Sequence, residues 1–291
     1  MILLTGANGQ LGRDFQQLFV DNNIPFIPTH YKAFDGYMTL DVTDIAEAER
    51  IVREYPVTHI INCAAYNNVD LAEEESDRAF LLNREVPRQL ARLAESTKTV
   101  FVTFSTDFVF DGTTEKPYVE TDPTDPLNVY GQSKLAGEQA VLSSYDRVFV
   151  IRTSWVFGIG NHNFNKSVLN WSKSRRELIV VDDQVSVPTY SKDLAAFSWD
   201  LIQSDAYGLY HLSNQGEASK YDQAKYVLEQ IGWQGIIQRG KTDDFKLPAK
   251  RAPYSKLNST KAENRIGRRM PHWQDAVVRF LEEMKQRGEW I

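Results

Sequence analysis

The chain has little of what supports disulfides, zinc sites or membrane anchoring. Cys63 is the single cysteine among 291 residues, which excludes an internal disulfide, and no cysteine–histidine cluster has zinc-ligand spacing. No apolar run reaches the roughly 18 residues of a membrane helix, and residues 1–5 lack the length and the basic flank of a signal peptide. We therefore expect a cytoplasmic protein that does not contact membranes.

Positive charge is not in excess either. The 33 Lys and Arg residues and the 39 Asp and Glu residues give a net charge of −6, and no basic patch suited to a polynucleotide is visible. We therefore expect no nucleic-acid partner. The length is sufficient for one large domain and a smaller lobe.

Strands and helices alternate in the first half of the chain. Residues 1–4 are apolar, a glycine-rich turn follows, and Leu11, Phe15 and Leu18 then recur at helical spacing. Further strands are predicted at 26–30, 39–42, 58–64 and 99–105, and further helices at 45–55, 78–96 and 130–144. This alternation predicts an α/β fold with a Rossmann-type, doubly wound parallel sheet.

Gly6, Gly9 and Gly12 occupy the turn between the first strand and the first helix. Without Cβ atoms they allow a tight turn, close approach of the backbone to a pyrophosphate and close helix packing, while the amino end of the helix faces the phosphates. A purely structural turn is the alternative. The order of strand, glycines and helix favours a dinucleotide site.

The residues at the ends of the second, third and fourth strands also affect how a dinucleotide would bind. The second strand ends at Thr29 and His30 without the acidic residue that would hold a ribose 2′-hydroxyl, so NADPH is tolerated as well as NADH. Asp41 follows the third strand, where it either hydrogen-bonds the adenine or marks the start of a helix. The pair Ala64-Ala65 is small enough to let a cofactor cross the sheet edge, although plain packing would also explain it.

The second half of the chain is organised differently. Proline and glycine exclude regular structure from most of a loop at 107–129. After residue 157 the predicted elements are short pieces, at 178–181, 191–203, 209–213, 221–231 and 273–287. We therefore predict an NAD(P)-binding Rossmann domain at 1–157, to which later segments return, and mainly a substrate-binding lobe at 158–291.

Tyr130 and Lys134 are four residues apart in a predicted helix, which places a phenol and an ammonium on one face. A nearby lysine favours phenolate and so lowers the pKa of a tyrosine toward neutrality, as a proton donor requires. Two solvent-facing side chains are the alternative. Thr106 ends the fifth strand, where its hydroxyl either binds a substrate carbonyl or forms a turn.

Together these residues resemble the extended short-chain dehydrogenase/reductase family, and in finer detail they are similar to its dTDP-4-dehydrorhamnose reductases. The likeness runs nearly from end to end. The segments that carry it are Thr5-Gly6-Ala7-Asn8-Gly9-Gln10-Leu11-Gly12, Asn62-Cys63-Ala64-Ala65, Val69-Asp70, residues 105–112, Tyr130-Gly131 with Ser133-Lys134, Gly137-Glu138, residues 152–158, Asp183-Gln184, Pro188-Thr189, residues 210–213, and Arg251 with Pro253.

The resemblance implies reduction of the C4 ketone of a nucleotide-linked 4-keto-6-deoxysugar by NADPH or NADH. It implies that Tyr130 is the proton donor, that Lys134 binds the nicotinamide ribose and lowers the pKa of the tyrosine, and that Thr106 orients the ketone. Thr106, Asp107 and Trp155 would contact the sugar nucleotide. The residues implied at the cofactor are Gly6, Gly9, Gln10, Leu11, Gly12, Asp41, Val42, Ala65, Tyr66, Asn67, Tyr130 and Lys134.

The resemblance implies no metal for the reaction and is compatible with a homodimer. The chain departs from the family pattern at 66–68, at 185–187, at Ala252 and at Lys220, where the family commonly has tryptophan. These changes leave the reaction type alone and leave the particular deoxysugar open. Two alternatives use the same fold: a non-catalytic, cofactor-binding regulatory subunit, and a sugar-nucleotide epimerase that recycles its NAD.

Overall fold

Strands and helices alternate along residues 1–160 and 162–289, the part of the chain that the computed structural model describes. The strands in chain order are β1 (Ile2–Thr5), β2 (Phe26–His30), β3 (Met38–Thr39), β4 (His59–Asn62), β5 (Val100–Thr106), β6 (Val148–Thr153), β7 (Val156–Phe157), β8 (Glu177–Val181), β9 (Val185–Ser186), β10 (Thr189–Tyr190), β11 (Gly208–His211), β12 (Ala218–Ser219) and β13 (Ile236–Gly240). The α-helices in chain order are α1 (Gln10–Asp21), α2 (Ile45–Glu54), α3 (Ser76–Phe80), α4 (Val86–Thr97), α5 (Val129–Leu142), α6 (Phe164–Ser174), α7 (Ser191–Ile202), α8 (Lys220–Gln230), α9 (Thr260–Ile266) and α10 (Trp273–Gln286).

Seven strands form one sheet in the order β3-β2-β1-β4-β5-β6-β11. Every pairing in this sheet is parallel. The predicted doubly wound, Rossmann-type sheet is therefore confirmed. The strand order changes direction between β1 and β4, and in such sheets ligands bind at the carboxyl ends of the strands beside that point.

The apolar strands of this sheet are buried on both faces. Ile2 and Leu4 point to a core shared with Phe15 of α1 and Leu194 of α7, whereas Leu3 points to a second core with α2 and α4. Since side chains alternate along a strand, a continuous apolar run fills both cores. The sheet is thereby held as a rigid layer from whose carboxyl edge the site residues project.

A third core lies outside the sheet. It is formed by apolar side chains between Phe157 and Met284, which come mainly from α6, α8 and α10. β13 pairs in parallel with β8 along this core. The chain also returns to the large sheet, because β11 pairs with β6 and α7 packs on α1. The division at residue 157 stays a prediction.

The predicted helix at 78–96 is interrupted, and this is a difference from the sequence-based expectation. A π-helical turn at Leu81–Glu85 separates α3 from α4. Pro87 at the start of α4 has no N–H to donate to the carbonyl of Asn83, four residues earlier, so regular α-helical bonding cannot continue through this point. The predicted strand at 39–42 is likewise shorter, since β3 ends at Thr39.

α6, α9 and β13 were not expected from the sequence, and neither were the two-residue strands β9, β10 and β12. Two short 3₁₀ turns, Leu71–Glu73 and Asp107–Val109, lie in the loops that follow β4 and β5. Among the residues that the structure describes, no helix combines the length and the apolarity needed to cross a membrane.

Candidate active site

The glycine turn after β1 brings the ends of two strands together. Gly6 has a φ of 62°, in the region that favours glycine, and a Cβ on it would lie 2.5 Å from the backbone nitrogen of Ala64. The N–H of Gly9 donates to the Gly6 carbonyl at 2.9 Å and closes the turn. α1 begins at Gln10, directly after the turn, so its amino end lies at the carboxyl edge of the sheet.

A cleft of about 560 Å³ opens at this edge, beside the turn. It is lined by Gly6, Asn8, Gly9, Thr29, His30, Tyr31, Leu40, Asp41, Val42, Thr43, Cys63, Ala64, Ala65, Asn67, Arg78, Leu81 and Leu82. Glycines, alanines and the amino end of a helix leave backbone N–H groups close to the cleft, which suits the phosphates of a dinucleotide. These residues fit NADPH or NADH.

The predicted cofactor residues divide into two groups. Gly6, Gly9, Asp41, Val42, Ala65 and Asn67 line the cleft, whereas Gln10, Leu11, Gly12, Tyr66, Tyr130 and Lys134 are not among its lining residues. Gln10 instead accepts a hydrogen bond from the side chain of Asn163 at 3.0 Å. Leu11 packs against the core beneath α1, and the Tyr66 hydroxyl donates to Glu75 at 3.0 Å.

The end of β2 carries no carboxylate. The Thr29 hydroxyl is buried and donates to the carbonyl of Leu4 at 3.2 Å, so it is committed to the sheet. His30 and Tyr31 reach the cleft instead. A 2′-phosphate would therefore meet an imidazole and a phenol rather than a negative charge.

Asp41 was assigned either to the adenine or to the start of a helix. Its carboxylate accepts from the N–H of Thr43 at 2.9 Å and from the Thr43 hydroxyl at 2.7 Å. The cap of α2 is Asp44, which accepts from the N–H of Glu47 at 3.1 Å. The helix-start interpretation of Asp41 is therefore wrong, and its carboxylate lies in a turn at the wall of the cleft.

Tyr130 and Lys134 lie on one face of α5, and both are buried. Asn128 caps this helix by accepting from the N–H of Gly131 at 2.8 Å. The Lys134 ammonium donates to the carbonyl oxygen of Phe104, in β5, at 2.5 Å. α5 is therefore fixed against the carboxyl half of β5, the strand that ends in Thr106.

The expected lowered pKa of Tyr130 is wrong. Burial raises the pKa of Tyr130 to about 12, while the hydroxyl of Thr106 opposes the rise and the carboxylate of Asp107 adds to it. The Lys134 ammonium donates to the Phe104 carbonyl, and burial lowers the pKa of Lys134 to about 8. The phenol is therefore protonated at neutral pH, the form that a proton donor needs.

Thr106 and Asp107 lie beside Tyr130 at the end of β5. The Thr106 hydroxyl accepts from the N–H of Phe108 and donates to Asp107 Oδ1, each at 3.2 Å, so the predicted turn is also present. Asp107 Oδ2 accepts from the hydroxyls of Ser186 at 3.1 Å and Ser255 at 2.5 Å. Burial nevertheless raises the pKa of Asp107 to about 6.

Trp155 lies between β6 and β7 with a φ of 44°, a strained conformation for a bulky residue. One face of its indole is covered by the Lys220 ammonium, which lies 3.4 Å from the ring centroid. The predicted contact of Trp155 with the sugar nucleotide therefore has only the opposite face of the indole. Trp155 also lines a small cavity, together with Phe108, Phe110, Leu127, Asn128, Gln184, Arg251, Ala252 and Ser255.

Two further contacts at the site were not predicted. Arg251 forms a two-point ion pair with Asp70, at 2.7 Å and 2.6 Å, and so ties the loop after β4 to the wall of the small cavity. The Asn83 side chain donates to the Tyr66 carbonyl at 3.0 Å and to the Ser133 hydroxyl at 2.9 Å. The only sequence signal for Asn83 was Pro87, which marks an irregular helix.

The part of the chain that the structure describes contains no group of three or more His, Cys, Asp or Glu side chains arranged to hold a metal ion. Carboxylates near the site are held by hydroxyls and guanidinium groups. The catalytic chemistry that this arrangement supports is proton donation from a buried phenol, next to a hydroxyl and a dinucleotide cleft.

Comparisons with known proteins give one consistent result. The family model described as the RmlD substrate binding domain matches residues 1–286. The dTDP-4-dehydrorhamnose reductase of Salmonella typhimurium is 35% identical over 295 residues, which cover 97% of each chain.

Solved structures agree with this match. The crystal structure of a dTDP-4-dehydrorhamnose reductase from Clostridium acetobutylicum has a TM-score of 0.92 and 36% identity, and covers 98% of this chain and 99% of that one. The structure of the Bacillus anthracis dTDP-4-dehydrorhamnose reductase in complex with NADP has a TM-score of 0.91 and 35% identity, and covers 97% and 98% of the two chains.

Proposed function

Because this chain belongs to the RmlD substrate binding domain family, we propose that it is a dTDP-4-dehydrorhamnose reductase-type enzyme that uses NADPH or NADH. The proposed reaction is the reduction of the C4 ketone of dTDP-4-dehydro-L-rhamnose to the alcohol of dTDP-L-rhamnose. Relatives with this activity match the chain over nearly its full length. A homodimer, a cytoplasmic location and the absence of a nucleic-acid partner stay predictions of the sequence.

The observation that carries the proposal is the buried phenol of Tyr130 beside the buried hydroxyl of Thr106 at the carboxyl edge of the sheet. In the proposed reaction the Thr106 hydroxyl orients the ketone oxygen, and Tyr130 donates its proton to that oxygen as negative charge develops there. Asp107 and Trp155 form the part of the active site that would contact the sugar. Burial of the phenol keeps water away from the proton that is transferred.

The cofactor would be held in the cleft beside Gly6 and Gly9, which Ala65 and Asn67 also line. When bound, the reduced nicotinamide supplies the hydride that the ketone carbon accepts. Lys134 lies one helical turn from Tyr130, and its ammonium would hydrogen-bond the ribose in exchange for the Phe104 carbonyl. The ammonium would then also favour the phenolate that remains after proton transfer.

The test is turnover of the purified protein with NADPH and dTDP-4-dehydro-L-rhamnose, followed at the nicotinamide absorbance. We expect one NADPH to be oxidised for each sugar reduced. We expect Tyr130→Phe to lower kcat by about 10²–10⁴-fold, since general acid catalysis contributes this much. Tyr55→Phe is the matched control, because Tyr55 packs against the core at the end of α2.

Near-wild-type turnover by Tyr130→Phe would contradict the proposal. Interconversion of sugar epimers without net NADPH oxidation would point to an epimerase, which recycles its cofactor. NADPH binding without any turnover of the keto sugar would point to a regulatory subunit. Analysis of the C4 configuration of the product identifies the deoxysugar formed.

A further inference from the structure

Lys220 is brought to the sugar side of the site by a strand pairing. β12 runs antiparallel to β9, with Ala218 opposite Ser186, and α8 begins at Lys220 directly after β12. Ser186 also donates its hydroxyl to Asp107 at 3.1 Å. The same pairing therefore places the Lys220 side chain close to the Asp107 carboxylate.

The Lys220 ammonium is held by aromatic faces and by charge. It lies 3.4 Å from the centroid of the Trp155 ring and 4.7 Å from that of Phe164. Cations are attracted to the negative faces of such rings, the more so when water is excluded. The negative charge of Asp107 also favours the ammonium, although burial lowers the pKa of Lys220 to about 7.

No hydrogen bond from this ammonium to an acceptor is present within the part of the chain that the structure describes. A lysine ammonium has three N–H donors, and Lys220 is partly exposed, so these donors are accessible to a ligand. Lys134, the buried lysine of the site, does have an acceptor, the carbonyl of Phe104. The Lys220 donors therefore lie beside Trp155 and Asp107 without a protein partner.

The groups around the Lys220 ammonium indicate what kind of ligand oxygen it would bind. Asp107 offsets the charge of Lys220, so the pair carries little net charge and is better matched to a neutral, hydroxylated ring than to a diphosphate. Trp155 adds an apolar surface of the kind on which sugar rings rest. Thr106 precedes Asp107, so the ring that presents its ketone to Thr106 and Tyr130 lies within this region.

We propose that Lys220 is a specificity-determining residue that donates a hydrogen bond to the C2 or the C3 hydroxyl of the hexose ring. This inference rests on the proposed function, because it requires the sugar nucleotide as the substrate. Lys220 takes no part in the proton or hydride transfer. It selects hexoses that carry the hydroxyl over those that lack it.

The test variant is Lys220→Met, which keeps the apolar stem over Trp155 and removes the ammonium. We expect its KM for the keto sugar nucleotide to rise about tenfold, in line with the loss of one charge-assisted hydrogen bond. We expect its kcat and its KM for NADPH to remain within about twofold of wild type. Lys225→Met is the matched control on the same helix, since Lys225 is exposed and pairs only with Glu229 at 3.8 Å.

Deoxy analogues identify the contact. Wild type is expected to use the 2-deoxy or the 3-deoxy keto sugar nucleotide with a kcat/KM about tenfold below that of the parent sugar, and Lys220→Met is expected to lose that preference. Inhibition by dTDP alone, which has no hexose, should be the same in both proteins. Thermal unfolding of each variant verifies that it is folded.

Three outcomes would overturn the inference. The first is an unchanged KM for the sugar nucleotide in folded Lys220→Met. The second is a loss of dTDP affinity as large as the loss for the sugar nucleotide, since this would assign the ammonium to the diphosphate. The third is retention of the deoxy preference by Lys220→Met. Absence of keto-sugar turnover in wild type is distinct from all three, because it overturns the proposed function and the inference with it.

Discussion

Gly137 and Asn83 approach so closely that a Cβ on residue 137 would lie 2.0 Å from the Asn83 carbonyl oxygen. The contact joins α5 to the π-helical turn at Leu81–Glu85. α5 carries Tyr130 at its start, one turn before Lys134, so the position of the proton donor depends on this backbone contact. Residue 137 has to be glycine because there is no room for a side chain, and not because the backbone needs an unusual conformation there.

We expect Gly137→Ala to move α5 away from the π-helical turn. Insertion of a methyl group into a packed contact costs about 1–3 kcal/mol of the free energy of unfolding. Because Tyr130 moves with the helix, kcat should fall more than the KM for NADPH rises. Denaturant unfolding and steady-state kinetics on the same preparation measure both effects.

Gln139→Ala is the control for this prediction, since Gln139 is exposed on the same helix. It should unfold and turn over like wild type. Equal stability of Gly137→Ala and wild type would show that α5 can shift at no cost, and would contradict the role of this contact.

The fold was largely predictable because its signals are local. The strands of the sheet are continuous apolar runs, and the glycine turn lies between β1 and α1 in the printed sequence. α6 was missed because Asn165, Lys166 and Ser167 interrupt the apolar positions of its first turns. In the structure Val168 and Leu169 lie in the core of the lobe, and Phe164 and Trp171 pack against it. The π-helical turn was missed because helical periodicity continues through it.

The site was less predictable where it depends on distant pairings. Arg251 and Asp70 are separated by 181 residues, and Lys220 reaches Trp155 only through the pairing of β12 with β9. No local pattern in the sequence reports such contacts. The pKa of Tyr130 was mispredicted for a related reason: helical spacing gave the proximity of Lys134 but neither the burial of the phenol nor the Phe104 carbonyl that binds the ammonium.

His30→Asp should make the enzyme discriminate against NADPH. His30 lines the cleft at the end of β2, where a carboxylate would accept a hydrogen bond from a ribose 2′-hydroxyl and repel a 2′-phosphate. We expect kcat/KM for NADPH to fall about tenfold or more, while the value for NADH is kept or improved. Parallel kinetics with the two cofactors at low ionic strength measure the ratio.

His30→Asn separates charge from shape in this experiment. It has the size of the aspartate without its charge, so it should leave the NADPH to NADH ratio within about threefold of wild type. If kcat/KM fell equally for NADPH and NADH in His30→Asp, this would contradict the placement of the ribose 2′-position next to His30.

His211 should make the protein sensitive to mild acid. It is fully buried, and its Nε2 lies 3.3 Å from an Arg152 nitrogen that donates to it, so its Nδ1 donates to the Tyr118 carbonyl at 3.1 Å. Burial, followed by the charge of Arg152, lowers the pKa of His211 to about 3. Below about pH 6.5 this histidine binds a proton in the unfolded chain but stays neutral in the folded protein. The free energy of unfolding therefore falls by about 1.4 kcal/mol for each unit by which the pH is lowered.

Chemical denaturation at several pH values between 7 and 4 would measure this dependence. His211→Gln has no such proton to take up, so its free energy of unfolding should fall by about 1.4 kcal/mol less per pH unit than that of wild type. Parallel slopes for the two proteins would contradict the prediction, whatever their absolute stabilities.

Asn83→Asp should disturb the cofactor wall and the proton donor together. The Asn83 amide donates to the Tyr66 carbonyl and the Ser133 hydroxyl, and its oxygen accepts from the Tyr66 N–H at 2.9 Å. Aspartate keeps the acceptor and loses both donors, at about 1–3 kcal/mol for each buried group left unpaired. Because Tyr66 lies between two residues of the cleft and Ser133 precedes Lys134, we expect a higher KM for NADPH as well as a lower kcat. Ser133→Ala loses the Asn83 contact and the bond from its hydroxyl to the Tyr130 carbonyl, at 2.7 Å, but keeps both Asn83 bonds to Tyr66, so it should leave that KM near wild type. Equal KM values in the two variants would contradict the link through Tyr66.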